Sequence, residues 1–208
     1  MKGGASLKLT MERPPKRLIA GFQDLPTTAL AELLTLDSVM RHVAYTVRTV
    51  KHDNLMLHAA IYHAEPGDVI VVQAGDDKMA VAGGNVCAVA HRRGVGGFVV
   101  DGVIRDVGES RGRGFPVFAR GISPITGRQD GPGEIGGPIT CGGVRVNPAD
   151  VVVADEEGIV VIPRARAETV LKNARAKVAR DAGESLPEWE RKHRARVESS
   201  LRAHGYLG

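Results

Sequence analysis

The sequence predicts an α/β fold built on strand–helix–strand crossovers, and three observations carry that prediction. VIVV at 69–72 and FVV at 98–100 are short, wholly apolar runs of the kind that parallel sheets bury on both faces. Between them, Gly83-Gly84-Asn85 opens a helical pattern with Val86, Val89 and Ala90 on one face and Gly94 just past its end. Strand, helix and strand then form a right-handed βαβ unit. Finally, 26 glycines beside only 4% aromatic residues favour tight turns and small-residue packing over a groove for a large ring.

The elements follow in order. Residues 1–26 carry Pro14-Pro15 and scattered charge and read as an extended N-terminal arm. Thr27 or Thr28 caps a helix reaching residue 34, with Leu30, Leu33 and Leu34 on its buried side. Residues 43–50 alternate as a strand does. Asp53 caps the next helix, which holds Leu55, Met56, Ala59 and Tyr62 and stops before Pro66-Gly67. His58 and His63 on that helix stand five apart, whereas zinc ligands on one helical face stand four apart, so both read as packing or surface histidines.

Beyond the second apolar run, Asp101-Gly102 reads as a turn, 107–112 as a short helix and 116–118 as a strand. Residues 122–139 are too rich in glycine and proline for regular structure and read as a long loop, either a flap or a subunit contact. Strands recur at 144–146, 151–153 and 159–162, joined by turns at Asn147-Pro148 and Glu157-Gly158. After Pro163 a helix carries Val170, Leu171, Ala174 and Val178 on one side and breaks near Gly183. Pro187 starts a final helix, whose Trp189 reads as an anchor on a neighbouring subunit. The chain thus divides into an arm (1–26), a main domain (27–164) and a C-terminal helical extension (165–208) suited to oligomer contact.

Charge and cysteine usage exclude several functions. The net charge of +4 belongs to the tail: from residue 164 onward 11 Lys and Arg face 6 acidic residues, while the rest of the chain holds 17 against 18. A body without a basic face or stacking aromatics is not expected to bind nucleic acid. Cys87 and Cys141 lie far apart with no C-x-x-C spacing, as reduced thiols of a cytoplasmic protein do. No apolar run approaches the roughly 20 residues of a membrane span and none follows the N-terminal charges as a signal would, so no membrane partner is expected.

The chemistry concentrates between residues 83 and 109. A helix opening on Gly83-Gly84-Asn85 leaves backbone amides free, and these, with the positive end of the helix dipole, attract a carboxylate or phosphate. Arg105-Asp106 falls just beyond a strand's carboxyl end, the edge where ligands bind in parallel α/β sheets, and the crossover returns the glycines to that same edge. On pattern alone the charged pair is open to two readings, a solvated surface pair or a catalytic one.

The stretch GGNVCAVAHRRGVGGFVVDGVIRD at 83–106 resembles the RraA-like family, as do PGDVIVV at 66–72, FPVFARG at 115–121 and GGVRVNPADVVVADEEGIVVIP at 142–163. That family includes 4-hydroxy-4-methyl-2-oxoglutarate and 4-carboxy-4-hydroxy-2-oxoadipate aldolases, which also decarboxylate oxaloacetate, and the regulator of ribonuclease activity A. The resemblance covers about residues 27–165. It implies a layered α/β fold with a central mixed sheet, a small 2-oxo acid substrate, and a trimer or pair of trimers.

It also implies roles. Both reactions must stabilise a pyruvate enolate, through a lysine Schiff base or through a divalent cation with positive groups. Lys51 and Lys78, the only lysines between residues 17 and 171, match no motif position, which favours the cation. Asp106 matches the family's ligand for Mg²⁺ or Mn²⁺, Arg105 its substrate-binding arginine, and Gly83, Gly84, Asn85 and Val86 the loop whose amides hold the pyruvyl carboxylate. Glu109 matches an acidic position that orients metal-bound water, and equally reads as a solvated helix residue. The base is such a water, since His91 falls toward the far end of its helix.

In well-studied aldolases of the family an aspartate precedes Arg-Asp by twenty intervening residues; here that position is Gly84, which weighs against retro-aldol rate more than against metal binding. A methyltransferase role also attached to the family is not expected, as no G-x-G-x-x-G turn follows a strand. The alternative function is a catalytically inert, protein-binding regulator of ribonuclease E. Retention of Asp106 favours the enzyme.

Overall fold

The computed structural model describes residues 11–23, 25–31 and 42–206. Its elements run α1 (Lys16–Ala20), α2 (Thr27–Ala31), β1 (His42–Arg48), α3 (Leu55–His63), β2 (Asp68–Gln73), α4 (Gly84–Arg92), β3 (Gly97–Ile104), α5 (Val107–Gly112), β4 (Val117–Ile122), β5 (Glu134–Ile135), β6 (Ile139–Cys141), β7 (Val144–Val146), β8 (Val151–Asp155), β9 (Gly158–Ile162), α6 (Ala167–Asp181) and α7 (Leu186–Ala203). The main sheet has the order β4-β3-β2-β1-β8-β9, with β5 pairing a second segment of β1, and β6-β7 form a separate ribbon. β1 to β4 are mutually parallel, while β8 and β9 are antiparallel additions. The result is a mixed sheet with α3 and α4 on one face and α6 and α7 at the chain's C-terminal end, the class that the alternation of apolar runs and helical patterns predicts.

Burial follows from the apolar runs. On one sheet face, Val47, Ile70, Val72, Phe98 and Val100 meet Leu57 and Ile61 of α3 and Cys87 and Ala90 of α4. On the other, Ala44, Val69, Val71 and Val99 meet Ile139 and Cys141 of β6 and Val146 of β7. A third cluster packs β8 and β9 against Val170, Leu171 and Ala174 of α6. Among the described residues no helix is long and apolar enough to cross a membrane.

Several expectations change. The arm is not simply extended: its described part contains α1, and Phe22 is fully buried in the α6 cluster with Leu18 and Ile19 packed against it. Pro15 keeps its extended backbone as the N-cap, and the helix begins directly after it. Arg13 anchors the same segment with two hydrogen bonds to the buried Asp68 at 3.0 and 2.7 Å. Asp101-Gly102 is not a turn but lies inside β3: Asp101 still pairs with Gln73 of β2, and pairing with β4 resumes at Val103 past a register shift. Residues 122–139 are not wholly irregular, since β5 lies among them and Thr126 and Arg128 form bridges to Ala80 and Asp53. Leu33 and Leu34, expected on α2, lie outside the described residues.

The helix expected from Pro187 begins one residue earlier, behind a capping box of Ser185 and Glu188. α7 has no buried residue, and Leu186, Trp189, Val197 and Leu201 are exposed along it.

Candidate active site

Two consecutive strand–helix connections build the site. β2 leads to α4 and β3 leads to α5, and because the strands are parallel both connections open at the same sheet edge. The chain ahead of α4 is laid along the end of β3: Val81 N–H donates to the Val103 carbonyl at 3.1 Å and Arg105 N–H to that of Ala82 at 3.0 Å. This pairing sets Gly83 and Gly84 against Arg105 and Asp106. A Cβ at position 83 would lie 2.7 Å from Asp106 Oδ2 and 2.9 Å from Arg105 Nε, so glycine is what lets both side chains close on the backbone.

Asp106 is the N-cap of α5 and adopts a left-handed conformation, φ 54°. Asparagine and aspartate tolerate that region better than other side chains. Its carboxylate does not cap α5. Instead Oδ2 accepts the Gly84 N–H at 3.0 Å and stands 3.3 Å from Arg105 Nε. The amide cradle expected over 83–86 is therefore narrower: the Gly84 amide is spent on Asp106, and those of Asn85 and Val86 find no acceptor among the described residues. Glu109, on the first turn of α5, pairs with Arg113 at 3.2 Å, and its carboxylate also fills the space in front of Gly84, where a Cβ would collide with it. Glu109 is thus an exposed helix residue whose carboxylate also lines the cleft.

These groups share one cleft of about 100 Å³, lined by Gly83, Gly84, Asn85, Val86, Arg105, Asp106 and Glu109. Its opposite wall is Asn54, His58 and Thr126, none of which the sequence pointed to. His58, a half-buried histidine, lines the cleft, whereas His63 is exposed. Gln129 Nε2 lies 2.5 Å from His58 Nδ1. Burial pushes the His58 imidazole below its usual range, against the Val81 carbonyl and the Asp53 charge, which raise it. Neither Lys51 nor Lys78 lines the cleft. A larger groove, about 510 Å³, lies on the sheet face opposite α3 and α4 but is mainly apolar, and burial pushes the Cys141 thiol beside it up to about 12. The convergence of charge and open amides makes the smaller cleft the candidate site.

The far wall is hung on one carboxylate. Asp53, expected as a helix cap, does bond the Leu55 N–H at 2.8 Å, but the N-cap is Asn54, and Asp53 Oδ2 accepts the Asp130 and Gly131 amides at 2.9 and 2.8 Å. Burial alone would raise its carboxyl pKa; the Leu55, Asp130 and Gly131 amides outweigh it and hold the group below the usual carboxylate range. With the folded value depressed, this contribution is present above the unfolded value of about 3.9 and is lost as pH falls through the folded one. Asp53→Asn is expected to lower stability by about 1–3 kcal/mol and to flatten the melting temperature's pH dependence below pH ~4. Equal slopes in the two proteins would remove Asp53 from that role.

Comparison with known proteins finds the following relatives. The RraA-like family model, described as Aldolase/RraA, matches residues 27–161. A Halalkalibacterium halodurans protein provisionally named a 4-hydroxy-4-methyl-2-oxoglutarate aldolase is 37% identical over 203 residues, covering 91% of this chain and 93% of that one. A 4-hydroxy-4-methyl-2-oxoglutarate aldolase of Thermus thermophilus is 32% identical over 120 residues, 56% of this chain and 73% of its own. Among solved structures, Streptomyces coelicolor RraAS2, described as an unusual member of the RNase ES inhibitor RraA protein family, superposes with a TM-score of 0.72 at 29% identity, covering 82% of this chain and 96% of that one.

Proposed function

The chain belongs to the RraA-like family, and on that premise we propose that it is a divalent-metal-dependent, pyruvate-forming aldolase of 4-hydroxy-2-oxo acids that also decarboxylates oxaloacetate. The observation that carries this reading is the meeting of Arg105, Asp106 and the amides of Asn85 and Val86 in one small cleft. Such a cleft suits a keto acid better than a nucleotide.

The donor set fits a hard cation. Among the described residues no group of three His, Cys, Asp or Glu could enclose a metal; the cleft offers two carboxylates at an exposed rim, as suits Mg²⁺ or Mn²⁺ retaining several waters. Asp106 would be the ligand, with Glu109 acting through water. When bound, the cation supplies Lewis-acid stabilisation of the enolate oxygen. The chain's own groups do the rest. The Asn85 and Val86 amides, at the positive end of α4, receive the substrate carboxylate. Arg105 keeps Nε beside Asp106, and its terminal nitrogens are spent on no other carboxylate among the described residues, so they serve the 2-oxo oxygen as negative charge gathers there. Glu109 orients the water that takes the proton from the substrate hydroxyl.

Pyruvate release from 4-hydroxy-4-methyl-2-oxoglutarate and from oxaloacetate, each with Mg²⁺ or Mn²⁺, tests the proposal: turnover that vanishes with EDTA supports it. No turnover with any combination refutes it, and ribonuclease E binding in that case would establish the regulator. The proposal includes a trimer or pair of trimers, supported by the exposed apolar stripe on α7. Light scattering that returns a monomer mass would rule this out.

A further inference from the structure

Asn54 is only 2% exposed, yet it lines the cleft across from Arg105 and Asp106. Its Nδ2 donates to the Gly127 carbonyl at 3.2 Å, which fixes the amide's orientation, because turning it over would set oxygen against oxygen. Oδ1 is the atom left over. It is buried, and no donor reaches it among the described residues. A buried acceptor without a partner costs about 1–3 kcal/mol, a cost that a bound donor removes.

We propose that Asn54 Oδ1 accepts the hydrogen of the substrate's C4 hydroxyl, making Asn54 the residue that separates 4-hydroxy-2-oxo acids from 2-oxo acids lacking that group. The inference rests on the function proposed above and specifies the substrate end that the Arg105 side does not read. With the carboxylate on the α4 amides and the 2-oxo group at Arg105, C4 extends toward the far wall. A hydroxyl held there has one orientation about C3–C4, the bond that breaks. For cleavage the hydroxyl turns its hydrogen from Oδ1 to the water at Glu109, which takes the proton; the O–H pair then becomes the new carbonyl bond and the C3–C4 pair passes to the enolate. Asn54 neither gives nor takes a proton; it positions the hydroxyl.

Calorimetric titration of the EDTA-treated protein with 2-oxoglutarate and with 4-hydroxy-2-oxoglutarate tests the assignment without turnover. The wild type is expected to bind the hydroxy acid about 10-fold more tightly, the value of one ordinary hydrogen bond. Asn54→Ala, which removes the oxygen, is expected to bind the two acids equally. Asn54→Asp keeps an oxygen but loses the donor to Gly127, so its preference should persist even if its melting temperature falls. A wild type that does not discriminate, a preference surviving in Asn54→Ala, or one lost in a folded Asn54→Asp overturns the inference. Pyruvate release from 4-hydroxy-2-oxoglutarate with Mg²⁺, measured alongside, separates the two proposals. Discrimination without turnover sinks the catalytic reading alone, and turnover without discrimination sinks only the Asn54 assignment.

Discussion

Asp106→Ala is expected to reduce metal-dependent pyruvate release by about 10³-fold or more, since a bound cation supplies several kcal/mol of transition-state stabilisation and each 1.36 kcal/mol is a factor of ten. The substitution also strips the Gly84 amide of its acceptor and places alanine at φ 54°, a backbone strain of about 1–2 kcal/mol. Asp106→Asn separates these effects. Asparagine tolerates the left-handed region and still accepts from Gly84, but carries no charge for the cation. A comparable loss in Asp106→Asn, with an unchanged melting temperature, assigns the effect to charge. Full activity in Asp106→Asn would reduce Asp106 to an acceptor for the Gly84 amide.

Arg105→Lys is expected to lose about 10²-fold in kcat, the cost typical of removing one donor aimed at developing negative charge. Arg105 has two tasks at once, Nε against Asp106 at 3.3 Å and its terminal nitrogens toward substrate. A lysine offers one compact ammonium on a flexible stem and cannot hold both positions. The loss should fall on kcat more than on KM, because the oxygen it serves carries its full charge only in the transition state. Wild-type kinetics in Arg105→Lys would take Arg105 out of the mechanism.

The near wall of the cleft was legible because its parts are local. Val69 to Val72 and the β3 run are apolar enough to be strands buried on both faces, and a glycine pair before a helix can be read without knowing what faces it. Its charged rim follows from parallel topology alone. The far wall was not legible, because nothing local marks Asn54, His58 or Thr126. They reach the cleft through the Asp53 carboxylate, which bonds amides more than seventy residues away, and through the Ala80–Thr126 bridge. Asp101-Gly102 misled for the opposite reason: its local turn chemistry is strong, but pairing on both sides of β3 prevails. The α1 helix was hidden behind Pro14-Pro15, since its stability comes from Phe22, Leu18 and Ile19 docking on the α6 cluster rather than from helix propensity.

Gly84 and Glu109 also constrain the order in which a chain of this kind can change. Glu109 reaches across from α5 into the volume that any side chain at 84 would enter. An acidic residue arriving at 84 first would push the flexible Glu109 outward, and the rim would keep its second negative charge throughout. Losing Glu109 first would leave Asp106 alone beside an empty glycine. The two positions share one volume, so substitutions at 84 and 109 are expected to be non-additive.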